Sequence, residues 1–161
     1  TIRVISEHMK VDVKLVKQLR DETSASIGDC RNALEEANND LEKAKKILKE
    51  KGLAKAAKKG DRATESGLVE SYIHGGGKVG VLLEINCETD FVARTDEFKE
   101  LAHEISMQIA AMKPKDVKVL LDQEYIRDPS KKIDDMVKEL IAKMGENIVV
   151  NRFTRFELGQ E

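Results

Sequence analysis

The chain has 161 residues and is 40% apolar, enough for one domain of ordinary size or a domain of about 100 residues carrying a smaller one. Charged residues make up 36%, but 28 Lys and Arg nearly cancel 30 Asp and Glu, so the weak long-range field gives no basis for phosphate-driven binding of nucleic acid. No apolar run approaches the roughly 18 residues of a membrane span, no signal-peptide block opens the chain, and Cys30 and Cys87 lie far apart outside any CxxC spacing, so a cytoplasmic chain with two reduced thiols is expected.

Residues 1–9 read as a tag or disordered extension that runs into a natural start at Met9-Lys10-Val11, and are set aside from the fold. Residues 10–52 read as three short helices, because Leu15, Val16 and Leu19 share one stripe, Ile27, Cys30, Ala33, Leu34 and Ala37 a second, and Leu41, Ala44, Ile47 and Leu48 a third. Ser24 and Ser26 punctuate the first break. Asn39, followed by Glu42, resembles a capping box opening the third helix, and Gly52 is a suitable end for it. So few residues bury little surface, which predicts a bundle of marginal stability that gains from docking, as an adaptor does. Residues 53–64 form a linker; Lys55, Lys58 and Lys59 among alanines there suit either a solvated connecting helix or a basic patch for an acidic partner.

Residues 65–161 form an α+β core. The period drops to two: Leu68, Glu70 and Tyr72 alternate with Val69, Ser71 and Ile73, the run from His74 through Gly77 turns the chain, and Val79, Val81, Leu83 and Ile85 line one face of a second strand. A long helix follows Thr95, with Phe98, Leu101, Ala102, Ile105, Ile109 and Met112 on its apolar face and Pro114 beyond its end. Residues 115–128 read as short or irregular. A second helix is expected from near Ser130 to Gly145, with Met136 and Met144 in its apolar stripe, and residues 147–158 form a third strand. Phe153 and Phe156 fall on opposite phases of a simple alternation, which predicts a bulge or edge twist in an antiparallel sheet of three strands.

Catalytic and metal-binding constellations are thin. The glycines before Lys78 enter a strand rather than a helix and lack the Walker spacing, His103 has no second histidine at i+4, and a Cys87, His74 and Asp90 set rests on proximity alone. No enzyme activity, cofactor or metal site is expected. That leaves Asn86-Cys87-Glu88-Thr89-Asp90-Phe91-Val92-Ala93-Arg94, where a large aromatic and a carboxylate leave a core strand together in a chain that is only 4% aromatic. Spacing allows two roles for Phe91: a staple for the turn, or an outward functional tip.

The nine-residue motif resembles the signature of the translation elongation factor Ts family, the guanine-nucleotide exchange factors of the GTPase elongation factor Tu. Similar to that family are also residues 15–30 with Ala33-Leu34-Glu35, the linker 54–62, the hairpin Ser71-Tyr72-Ile73-His74 with Val79-Gly80-Val81-Leu82, and residues 143–150 with Arg152-Phe153 and 155–159. The resemblance implies a three-helix domain like ubiquitin-associated domains, a linker and an α+β core. It further implies that Asp90 and Phe91, framed by Thr89 and Val92, enter the partner GTPase beside its nucleotide and disturb its magnesium ion. Ile27 and Gly28 are candidates for anchoring the three-helix domain on that partner. A homodimer is a further possible assembly; direct nucleic-acid or membrane partners are not expected. Family members carry a long helical excursion that this chain replaces with the few residues between Asp116 and Leu121. The alternative is a ubiquitin-like-binding or RNA-binding adaptor built on the three-helix domain and the basic linker, which leaves Asp90 and Phe91 without a role.

Overall fold

The computed structural model describes residues 11–160, so the extension expected at residues 1–9 lies outside the described residues. The chain is α+β and divides into two units after Gly52.

The first unit holds α1 (Val13–Thr23), α2 (Ile27–Glu36) and the greater part of α3 (Leu41–Ala57). Asp12 caps α1 by accepting the Lys14 N–H at 2.8 Å, Ser24 closes it with φ 55°, and Ser26 opens α2 by accepting the Asp29 N–H at 3.1 Å. The three stripes meet as predicted except at Ile27, which opens α2 outside the cluster: Leu19, Cys30, Ala33, Leu34, Ala37 and Ala44 are buried, with Leu15, Val16, Leu41, Ile47 and Leu48 around them. Two boundaries differ. Asp40, not Asn39, caps α3, accepting the Lys43 N–H at 3.0 Å, because Asn39 sits in the left-handed region at φ 60° and accepts the Asp12 N–H instead. Gly52 does not end α3, which continues to Ala57. An interior glycine costs a helix about 1 kcal/mol, a penalty that the surrounding Ala, Lys and Leu residues and the burial of Ala56 outweigh.

The second unit follows with β1 (Ser66–His74), β2 (Val79–Cys87), the single turn α4 (Asp90–Ala93), α5 (Asp96–Met112), α6 (Val117–Asp122), β3 (Glu124–Tyr125), β4 (Asp128–Lys132), α7 (Ile133–Met144) and β5 (Ile148–Glu157). β1, β2 and β5 make the antiparallel sheet in that order. Val81, Leu83, Ile85 and Cys87 alternate onto its inner face, where Phe98, Leu101, Ala102, Ile105 and Ile109 of α5 and Val137, Leu140 and Ile141 of α7 complete the core. The predicted bulge is Asn151. Glu84 pairs with Arg152 and Ile85 with Val150, so the extra residue turns Phe153 inward toward Leu83 and leaves Phe156 on the outer face, 70% exposed.

Residues 115–128 are more ordered than their sequence suggests. Asp116 caps α6 by accepting the Val119 N–H at 2.8 Å, Leu120 is buried, and β3 pairs with β4. Because residues 128–132 fold back onto β3, α7 begins at Ile133 rather than near Ser130, whose hydroxyl instead donates to Asp128. Met136 and Met144 pack against the core, whereas Met112, at the last turn of α5, is 48% exposed because the stripe runs out at the helix end.

Candidate functional site

β2 carries the chain out of the core at Cys87, and Thr89 caps α4 by accepting the Val92 N–H at 3.4 Å. A single helical turn sends its residues to opposite sides: Val92 and Ala93 are buried, while Asp90 is exposed and Phe91 is 84% exposed. Phe91 is therefore not the staple of this turn; Val92 does that packing. The four residues picked out by sequence, Thr89 to Val92, thus separate into a cap, an outward pair and a buried root.

The turn is braced from the α7–β5 connection. Thr89 donates its N–H to Glu146 Oε2 at 3.0 Å and its hydroxyl to Glu146 Oε1 at 2.7 Å. One residue earlier, Glu88 Oε1 accepts the Asn147 N–H at 2.6 Å and a guanidinium N–H of Arg62 at 3.4 Å. The Asn147 N–H, and then the Arg62 charge, hold the Glu88 carboxyl below the usual carboxylate range. Asn147 is itself buried and donates its side-chain amide to the Gly60 and Arg62 carbonyls at 3.2 and 2.9 Å, while Lys59 Nζ donates to the Gly145 carbonyl at 2.9 Å. The segment after α3 is thus stapled to the core rather than merely solvated, and Lys59 is committed to it.

Gly67 permits the close approach behind this exit. It pairs with Asn86 at φ 151°, and a Cβ there would fall 2.3 Å from the Ile85 carbonyl oxygen.

The imagined catalytic set does not assemble. His74 pairs with Val79 at the turn end of the hairpin and Cys87 with Ser66 at the other, about 26 Å apart at roughly 3.3 Å per residue. Burial pushes the Cys87 thiol up, away from the reactive thiolate, and its Sγ donates to the Thr89 carbonyl at 3.2 Å. Among the described residues no group of three or more His, Cys, Asp or Glu could hold a metal ion, and no helix is long and apolar enough to cross a membrane. In the first unit, Ile27 is 57% exposed on the opening turn of α2, and Gly28 has only Ser26 Oγ within 4.0 Å of a built Cβ, so nothing among the described residues demands a glycine there.

Comparison with known proteins identifies the fold that carries this tip. Residues 88–161 match the family model described as Elongation factor TS. Elongation factor Ts of Coprothermobacter proteolyticus is 49% identical over 197 residues, covering 94% of this chain and 100% of that protein. This chain belongs to the elongation factor Ts family. The elongation factor Ts proteins of Caldanaerobacter subterraneus subsp. tengcongensis and Thermotoga neapolitana are 46% and 45% identical, across 93% and 95% of this chain and 98% and 100% of theirs. The first alignment is longer than the 161 residues of the chain, so that elongation factor Ts holds residues this family member lacks. The stretch between Asp116 and Leu121, where the shortening is expected, is a formed helical turn with Leu120 buried.

Spacing missed Glu146 and Asn147, which hydrogen-bond to Thr89 and Glu88, and Gly67, which lies against Ile85 and Asn86 behind them. Glu146 acts across 57 residues of chain, and the only local hint is the turn signal of Gly145 after α7.

Proposed function

We propose that this elongation factor Ts is the guanine-nucleotide exchange factor of elongation factor Tu: it binds the GDP-bound GTPase in the cytoplasm, disturbs its magnesium site and speeds release of GDP so that GTP can enter. The supporting observation is the exposed Phe91 beside the exposed Asp90 carboxylate, on a turn held from both sides. A large aromatic left in water on a rigid base gains free energy only by burial in something else. Placing Phe91 in an apolar cleft of the GTPase supplies about 1.5–3 kcal/mol. Magnesium demands near-ideal octahedral geometry and bridges protein oxygens to nucleotide phosphates, so a small displacement of its surroundings removes charge neutralisation and weakens nucleotide binding. The Asp90 carboxylate competes for hydrogen-bond donors of the resting site.

This chain forms no covalent bond in that scheme. It acts by linkage: whatever factor it removes from the GTPase's affinity for GDP, GDP removes from the affinity of the GTPase for it, so incoming nucleotide ejects the factor. Ile27 and Gly28 give the first unit an apolar, closely approachable spot for anchoring on the same partner.

Stopped-flow release of fluorescent GDP from elongation factor Tu tests the reading. The chain is expected to accelerate release, and Phe91→Ala with Asp90→Ala to slow the accelerated rate about tenfold or more. Release no faster than spontaneous, or acceleration untouched by the double substitution, overturns it.

A further inference from the structure

The projecting turn cannot hold its own shape. It is four residues long, and a single turn fixes more backbone freedom than its hydrogen bonds return, so its geometry must be imposed from outside. The Glu146 carboxylate meets that need, since both of its oxygens engage Thr89, one the N–H and the other the hydroxyl. Two bonds to one residue fix its orientation as well as its place. They also direct the hydroxyl proton toward Glu146, which leaves the Thr89 oxygen lone pairs to accept the Val92 N–H and close the cap.

Glu146 is in turn held at both ends. On one side Gly145, at φ 77°, closes α7 by donating its N–H to the Ile141 carbonyl at 2.9 Å. On the other, Asn147 is buried and spends its backbone N–H on Glu88 and its side-chain amide on the Gly60 and Arg62 carbonyls. The carboxylate is presented from the α7–β5 connection to the cap residue that immediately precedes Asp90 and Phe91.

We propose that Glu146 is a positioning residue for exchange: acting through Thr89, it holds Asp90 and Phe91 in the projecting geometry that engages the GTPase. This rests on the reading of the tip given above. A tip that must be found among several conformations loses effectiveness in proportion to the fraction in the working one. Glu146→Ala is therefore expected to slow GDP release from elongation factor Tu several-fold at sub-saturating exchange factor, with Glu146→Gln, which keeps one acceptor oxygen, recovering part of the loss.

The experiment compares the parent chain, Glu146→Ala, Glu146→Gln, Thr89→Val, the double variants of Thr89→Val with each Glu146 substitution, and Phe91→Ala by stopped flow. Thermal unfolding and hydrogen exchange over residues 88–94 accompany it. Support is a slowed Glu146→Ala with faster exchange at 88–94, partial recovery in Glu146→Gln, and Thr89→Val adding little in the alanine background. Parental release by Glu146→Ala while Phe91→Ala is slow overturns the positioning role and leaves the tip reading standing. Parental release by Phe91→Ala overturns the tip reading itself. If Glu146→Ala unfolds early, Glu146→Gln and a Glu146→Gln/Thr89→Val double variant decide: additive losses in that double, or exchange at 88–94 unchanged in Glu146→Gln, reject the proposal.

Discussion

At Gly67 a missing methyl group is the structural requirement. With φ 151° and a Cβ position 2.3 Å from the Ile85 carbonyl oxygen, any side chain forces β1 away from the segment that launches the tip. Gly67→Ala is expected to cost about 3 kcal/mol or more, read as a lowered urea midpoint, because the obstruction is backbone and cannot rotate away. A midpoint within error of the parent would show that the pairing of β1 with β2 tolerates displacement there. Gly67 also marks a limit of sequence reading: its pattern says strand, and only the paired strand supplies the reason for glycine. Phe91 was legible in the opposite way, since an aromatic beside a carboxylate at a strand exit is conspicuous, though spacing could not decide between staple and tip. The buried Val92 and the exposed Phe91 decide where each side chain sits. Glu146 was illegible because a surface glutamate has no pattern of its own, and its partner is 57 residues away.

At the level of elements, helices and hairpin were readable wherever one face repeats, as in α5 and β2, and unreadable where short elements borrow their stability. β3 has two residues and β4 five, too few to persist as an isolated pair. They are held by Gln108 of α5, a buried amide whose Nε2 donates to Gln123 Oε1 at 3.2 Å and to the Glu124 carbonyl at 3.0 Å, while its Oε1 accepts the Ile126 N–H at 3.0 Å. Tyr125 adds a hydroxyl bond to Glu104, and its phenol is pushed up to about 12 by burial and by that carboxylate. Gln108→Leu keeps the volume but strands the Ile126 N–H and the Glu124 carbonyl. It is expected to cost about 2–3 kcal/mol and to raise hydrogen exchange at residues 124–132 ahead of the sheet. Unchanged exchange there would show that the hairpin is held by other contacts. The same reasoning explains the inward Arg155 of β5, which donates from Nε and Nη2 to the Ala110 carbonyl near the end of α5 at 3.2 and 3.1 Å. Its charge suggests an outward residue; the orphan carbonyl of a helix end brings it in.

For the whole molecule, the carboxylates set the response to acid. Glu84 is held low first by Arg152, Glu88 by the Asn147 N–H and Glu157 by Lys113. A carboxylate whose folded pKa is depressed contributes stability above its unfolded value and loses it as pH falls through the folded one. The melting temperature is therefore expected to be flat from pH 8 to about 5 and to fall below about pH 4.3, with Glu88→Gln showing a shallower fall. A melting temperature that rises on acidification would contradict this. The two units should also differ in stability. Among the described residues the first fully buries mostly small side chains, Cys30, Ala33, Ala37 and Ala44 with Leu19 and Leu34, and packs Leu15, Leu41, Ile47 and Leu48 only partly buried around them, whereas the second buries Phe98, Leu83, Ile85, Ile105, Ile109, Leu120 and Ile133. At about 25 cal/mol for each square ångström of apolar surface removed from water, the smaller core lies near the limit at which burial offsets chain entropy. Hydrogen exchange followed by mass spectrometry is expected to show amides around Leu19, Leu34 and Ala44 opening about 100-fold or more faster than those around Leu83, Ile85 and Ile105. Binding to the GTPase should protect the faster set if the first unit docks there, since a ligand that selects the folded form stabilises it by mass action. Exchange of both sets at one common rate would mean that the chain unfolds as a single cooperative body, and the picture of a marginal docking unit ahead of a stable core would have to be abandoned.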